Sequence, residues 1–144
     1  MLELDTDGTK QAEHFINAVG EDLSGRLIPA VEVRLRGLYR LLPPDYYEAA
    51  DNLADFCDRI EKQYGVRPVI YCTERTYKNI VVSDSRFNKD KIWYESLFSK
   101  PDEDMDWTFW TYTNRVKFSF YESGEYLHMA VFNGSEVDFK KLII

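Results

Sequence analysis

Apolar residues Ala12, Phe15, Ile16 and Val19 recur at i, i+3, i+4 and i+7, the spacing of one buried helix face. Asp7-Gly8-Thr9 opens this predicted helix and Gly20 stops it. After Pro29 the period changes to two: Val31, Val33 and Leu35 point one way, Glu32 and Arg34 the other. Two opposite charges therefore share one face of a predicted strand within residues 27–35. Pro43-Pro44-Asp45 restricts and caps the start of a second helix, with Ala49, Leu53, Phe56, Cys57, Ile60 and Tyr64 on one side and Gly65 at its end. Residues 67–73 read as a buried strand. A helix followed by a short strand is half of a βαβ unit, so parallel pairing between residues 30–35 and 68–73 is expected.

Farther along, residues 76–82 fit a short helix less cleanly, and 83–89 form a polar loop. Lys91-Ile92-Trp93-Tyr94-Glu95 predicts a short strand, and residues 101–106 an acidic loop. Residues 107–113, 117–121 and 126–132 alternate as strands. Asn133-Gly134-Ser135 is a turn, and Ser135 with Asp138 resembles the capped start of a final helix ending near Leu142. No repeat, linker or low-complexity run divides the chain, so residues 1–144 are expected to form a single α/β domain.

Composition narrows the functional classes. A chain of 144 residues can bury roughly 68–70% of its unfolded surface in one core. A formal charge of -7 repels nucleic acid and anionic membrane surfaces, so neither is expected as a partner. Arg34, Arg36 and Arg40 form one short basic cluster, read as a local ion-pairing group. Aromatic residues make up 15% of the chain, enough for a core and for a groove that stacks on flat or sugar-like ligands. Cys57 and Cys72 lack the spacing of a redox or metal motif and read as buried packing residues; no metal or cofactor is expected. The acidic start Met1-Leu2-Glu3-Leu4-Asp5 shows no signal peptide, and no apolar run reaches the ~20 residues that span a bilayer. The chain as written reads as soluble and cytoplasmic.

Five segments carry a more specific message: Lys10-Gln11-Ala12-Glu13-His14-Phe15-Ile16, residues 67–73, residues 91–95, Trp107-Thr108-Phe109-Trp110-Thr111-Tyr112-Thr113, and Leu127-His128-Met129-Ala130-Val131-Phe132-Asn133-Gly134. In this order, together with Pro29-Ala30-Val31-Glu32-Val33-Arg34, they resemble the later part of glycoside hydrolase family 25 lysozymes (muramidases), barrel enzymes that cut peptidoglycan. The likeness spans about residues 8 to 142 and implies a partial (β/α) barrel made of the family's last five strands. Strands that open the family's barrel precede everything seen here, so the resemblance is to a truncated barrel.

The chemistry departs from that pattern. Glycoside hydrolysis uses one carboxyl group that protonates the leaving oxygen and another that attacks, stabilises charge or activates water. The family's Asp-x-Glu motif reads Glu32-x-Arg34 here, and its last Asp aligns with His128. The Gln of the Trp-Gln-Tyr motif is Thr111, and the Asn of the final motif is Ala130. A guanidinium is no useful proton donor, so Arg34 stands where the resemblance places the general acid. The simplest role for Glu32 is an ion pair with Arg34. His14 falls on the polar side of the first helix and reads as solvated.

Two functions follow as expectations. One is a degenerate lysozyme-like domain without hydrolytic activity, kept as a glycan-binding or interaction module. The other is a glycoside hydrolase working through relocated groups: Glu32 with His128, or another acid such as Glu95. The resemblance puts Tyr71, Trp93, Trp110 and Tyr112 near the C-terminal ends of barrel strands as sugar-stacking candidates, with Trp107 assigned to the core. An open barrel would also expose the edge at residues 31–35. A second copy, a partner chain, or the chain's own residues 1–7 are expected to cover it.

Overall fold

The computed structural model describes residues 1–118 and 126–144. Helix α1 (Gly8–Val19) is capped by the Asp7 side chain, which accepts from the Lys10 N–H at 2.9 Å. Strand β1 (Ala30–Val33) leads through a tight helical turn (Gly37–Arg40) to helix α2 (Tyr46–Tyr64), capped by Asp45 and ended by Gly65 at φ 73. Strand β2 (Val69–Thr73) runs into α3 (Glu74–Thr76), which continues as a wider turn over Tyr77–Val81. Strands β3 (Ile92–Glu95), β4 (Phe109–Val116) and β5 (Leu127–Phe132) precede α4 (Glu136–Lys140).

The strands form one sheet in the order β1-β2-β3-β4-β5. The first three pairings are parallel and the last is antiparallel. Ala30 opposite Val69 and Val33 opposite Cys72 give the expected parallel βαβ unit. One sheet face is aliphatic: Val31, Val33, Ile70, Cys72, Ile92 and Tyr94 are buried against Ala12, Ile16, Leu53, Phe56 and Ile60 of α1 and α2. The other face holds the charged and aromatic residues that alternate with these, and there the site forms.

Helix α1 crosses α2 with no room at the contact. A Cβ built on Gly8 would lie 1.8 Å from the Asn52 carbonyl oxygen, so only glycine allows this approach. Below the sheet, Arg67 joins α2 to the sheet by bonding Asp58 at 2.5 Å, Glu61 at 3.2 Å and the buried Asp90 at 2.6 Å. Above it, the buried Thr76 hydroxyl donates to the Val33 carbonyl at 3.0 Å, tying α3 to the end of β1.

The free side of β1 is partly occupied by the chain itself. The Leu2 N–H donates to the Glu32 carbonyl at 2.9 Å, and Leu2 and Leu4 are buried while Met1, Glu3 and Asp5 between and beside them are exposed. Residues 1–3 thus lie beside the edge and residues 4–6 turn away from it, so the chain's own start covers part of β1. At the far end of the chain, Ile28, Gly25 and Ile144 exchange backbone bonds with Leu142, Ile144 and Arg26.

Several boundaries differ from the sequence reading. The strand predicted over 107–113 begins at Phe109 and extends to Val116, because Trp107 turns aside to accept a bond from the Asn133 amide at 3.0 Å. Lys117 and Phe118 lie beyond β4, and the rest of the strand predicted over 117–121 falls outside the described residues. The loop at 83–89 is not wholly polar: a helical turn (Ser85–Phe87) buries Phe87 in the core. The helix expected over 76–82 spans 74–81.

Candidate functional site

Cross-strand register sets two rows of side chains on the non-helical face. Glu32, Tyr71, Trp93, Phe109 and Phe132 are successive neighbours in the first row. Thr73, Glu95, Thr111 and Ala130 form the second, one pleat nearer the C-terminal ends of the parallel strands. Arg34 follows Glu32 on the same side of β1 and reaches across to the second row.

Arg34 is the hub. Its Nη2 lies 2.5 Å from Glu95 Oε2 and donates to the Tyr71 hydroxyl at 3.1 Å. Nε stands 2.9 Å from Glu32 Oε1, close enough for an ion pair, though its N–H is not aligned for a hydrogen bond. Arg36 approaches the same Glu32 oxygen at 3.5 Å from the exposed side. The Tyr71 hydroxyl donates to Glu95, and the Arg34 guanidinium carbon lies 5.7 Å from the Tyr71 ring centre. Burial opposes the charge of Arg34, but Glu95, Tyr71 and Glu32 outweigh it and raise its affinity for the proton above the ordinary value. Burial, then the hydrogen bond to Glu95 and its charge, push the Tyr71 phenol up to about 12, so the phenol stays neutral and acts as a donor.

Beside this network the rings form a column. Trp93 lies between Tyr71 and Phe109, with ring centres 5.1 Å away on each side. Phe109 meets Phe132 at 5.3 Å, and Phe132 meets Phe139 of α4 at 5.4 Å. The Trp93 indole N–H donates to the buried Thr111 hydroxyl at 2.9 Å, which fixes the plane of the ring. A small cavity of about 50 Å³ lies under Trp93 and Phe109, against Leu27 and Leu142.

Of the residues singled out from the sequence, Glu32, Arg34, Tyr71 and Trp93 come together. Trp110 and Tyr112 do not join them. Trp110 pairs beside Tyr94 on the helix-covered face, donates its indole N–H to the Ser96 carbonyl at 2.9 Å, and contacts Tyr112 at 5.8 Å and Trp107 at 6.2 Å. His128 sits exposed on β5, at the opposite end of the strand order from Glu32, without a hydrogen bond or ion pair among the described residues. His14 is exposed on α1, and Cys57 and Cys72 are buried free thiols.

Glu95 is the site residue that sequence reasoning underweighted, naming it only as an alternative acid. The signal was present: it ends a strand, two residues after Trp93, and so shares Trp93's face. Its pairing with Arg34 depends on the register of β2 and β3, which no local pattern specifies. Among the described residues no group of three or more His, Cys, Asp or Glu side chains is placed to hold a metal ion, and no helix is long and apolar enough to cross a membrane.

A mostly parallel sheet whose C-terminal strand ends gather charged and aromatic groups, covered on one face by helices, is the arrangement of part of a β/α barrel. The sequence profile of glycosyl hydrolases family 25 matches residues 2–119, and the chain belongs to that family. The fold is similar to a family 25 glycosyl hydrolase from Bacillus anthracis, with a TM-score of 0.85 and 29% identity over 99% of this chain and 65% of that one. A family GH25 lysozyme from Aspergillus fumigatus aligns with a TM-score of 0.72 and 18% identity over 96% of this chain and 67% of the relative. The lysozyme of Streptomyces coelicolor gives 0.72 and 23% over 96% and 66%. The chain therefore spans about two thirds of the length of these relatives. No curated protein matches it in sequence.

Proposed function

We propose that residues 1–144 act as one lysozyme-like domain that does not hydrolyse glycan and serves as a glycan-binding or interaction module. The observation that carries this reading is Arg34. Glu32-x-Arg34 aligns with the family's Asp-x-Glu, so a guanidinium that holds its proton tightly stands where a proton donor is required. The two nearby carboxylates, Glu32 and Glu95, are both its ion-pair partners. A general acid must release a proton to the leaving oxygen, and neither Arg34 nor the neutral Tyr71 phenol is suited to that near pH 7. Hydrolysis through Glu32 and His128 has less support, because β1 and β5 lie at opposite ends of the sheet order.

The glycan half of the proposal rests on the rings. Trp93, held by Thr111 and flanked by Tyr71, offers an indole of fixed orientation beside a cluster of hydrogen-bonding groups, the combination that stacks on and orients a sugar. The family relationship makes peptidoglycan the first glycan to try. Wild-type chain should sediment with insoluble purified peptidoglycan, and Trp93→Ala should not, with unchanged far-UV circular dichroism. Equal retention of both proteins, or of neither, removes the stacking role. The non-helical sheet face and the outer side of β5 are where a second copy or a partner chain would seat. Light scattering that gives a monomer mass at every concentration removes the second copy.

A further inference from the structure

The groups around the Arg34 guanidinium leave one of its nitrogens free. Nη2 is held by Glu95 and Tyr71, and Nε stands beside Glu32. Nη1 makes no hydrogen bond or ion pair among the described residues and is open to solvent. The three nitrogens of a planar guanidinium diverge, so Nη1 points away from both carboxylates. Beside the C-terminal end of β1, a cavity of about 310 Å³ lies against Arg34, between the chain's first five residues and the turn that follows the strand. Its volume is near the lower end of the roughly 300–1,000 Å³ range of small-molecule sites, which suits one sugar ring with its substituents. The buried Leu2 and Leu4 give it apolar wall, Arg34 and Arg36 give it donors, and Tyr39 adds a ring. The Tyr39 hydroxyl donates to Asp5, which holds that ring in place.

We propose that this cavity is a second sugar seat, in which an uncharged pyranose lies against Tyr39 and accepts a hydrogen bond from Arg34 Nη1 while another ring of the same glycan stacks on Trp93. The seat rests on the glycan-binding reading above and gives Arg34 a binding role in place of a catalytic one. Charge selects an uncharged ligand. Arg34 and Arg36 are answered by Glu32 and Glu95, and Glu3 and Asp5 also line the cavity, so carboxylates outnumber guanidiniums around it. An anion would meet net repulsion there, whereas a hydroxyl or amide oxygen accepts from Nη1 at no such cost. The walls agree, because a pyranose has apolar C–H faces for a ring and two leucines, and a polar rim for the donors. Position sets the length. The Tyr71 ring lies between Trp93, 5.1 Å away, and the Arg34 guanidinium carbon, 5.7 Å away. Strands β1 and β3 are two strand spacings apart, about 9.5 Å, so a ligand that reaches both Trp93 and the cavity spans more than one ring.

The test is an NMR titration of the full chain with N-acetylglucosamine, with its linear trimer, and with a galacturonic acid trimer that carries carboxylates at the same length. The wild type is expected to bind the uncharged trimer about tenfold or more tightly than the monomer, the worth of one ring contact and one hydrogen bond, and to bind the acidic trimer no better than the monomer. Arg34→Lys keeps the charge that Glu32 and Glu95 need, and Tyr39→Leu keeps the cavity wall apolar. Each should lose the gain with chain length while still binding the monomer, a pattern that general loss of folding would not give. A wild type without that gain overturns the second seat, as do variants that keep it in full or an acidic trimer that binds more tightly than the uncharged one. Should the wild type bind no soluble sugar yet sediment with peptidoglycan through Trp93, the second seat falls and the glycan reading stands; should it do neither, both fall.

Discussion

Arg34 concentrates the argument in one side chain. Its guanidinium faces Glu32, Glu95 and Tyr71, so removing it leaves Glu95, which is nearly buried, without its counter-charge. Arg34→Ala is expected to destabilise the fold by about 1–3 kcal/mol, below the range for a fully buried pair because water reaches part of this network. A second substitution, Glu95→Gln, should recover part of the loss, and urea denaturation of the four proteins in that cycle measures the coupling. Additive effects would mean that the pair is merely adjacent. The Glu32 to Arg34 half of this network was legible in the sequence, since side chains two apart on a strand share a face. Glu95 was not, because its side chain reaches Arg34 across the intervening β2 and over 61 residues of chain. For Trp110 and Tyr112 the family motif suggested a mouth position, yet alternation along β4 puts Trp110 on the face opposite Trp93.

Elements were read more securely than their edges. Both long helices follow from their apolar spacing and from Asp7, Asp45 and Gly65, whose roles are local. The limits of β4 were not local: they depend on pairing with β5 and on the shifts in register after Thr111 and Thr113. The closest contact between elements was also invisible, because nothing in Asp7-Gly8-Thr9 says that another helix passes 1.8 Å from where a Cβ would be. Gly8→Ala should therefore cost about 1–3 kcal/mol despite alanine's higher helix propensity. A melting temperature equal to or above wild type would show that α1 can shift away from α2 without loss. Gly65→Ala tests a different cause: its φ of 73 favours glycine, and the expected cost is about 1 kcal/mol with no change in packing.

At the scale of the whole molecule, the buried protonated groups set the alkaline limit of stability. Burial pushes Cys57 and Cys72 up to about 12 from an ordinary 9.0, with the charge of Asp90 adding to the effect at Cys57. Tyr94, buried and close to Glu74, and Tyr71 rise from 10.0 to about 12. Each group holds its proton more tightly folded than unfolded. Their stabilising contribution is complete below about pH 9 and is lost as the pH rises toward 12, by up to about 1.4 kcal/mol per pH unit for each cysteine and by less for the two tyrosines, which water screens. Thermal melts should be level from pH 7 to 8.5 and then fall, and Cys72→Ala should flatten the first part of that fall. A thiol reagent at pH 8 should label neither cysteine until denaturant is added.

The central claim is that a family 25 fold is present and the family's two-carboxylate reaction is not. Mass spectrometry of muropeptides released from purified peptidoglycan tests it most directly, with wild-type chain beside Arg34→Glu, the substitution that puts a carboxyl group where the family resemblance places the general acid. The account predicts no disaccharide products from the wild type; products from Arg34→Glu alone would name Arg34 as the block. Release of disaccharide products by the wild-type chain, abolished by Glu32→Gln, would contradict the account and make Glu32 a catalytic residue.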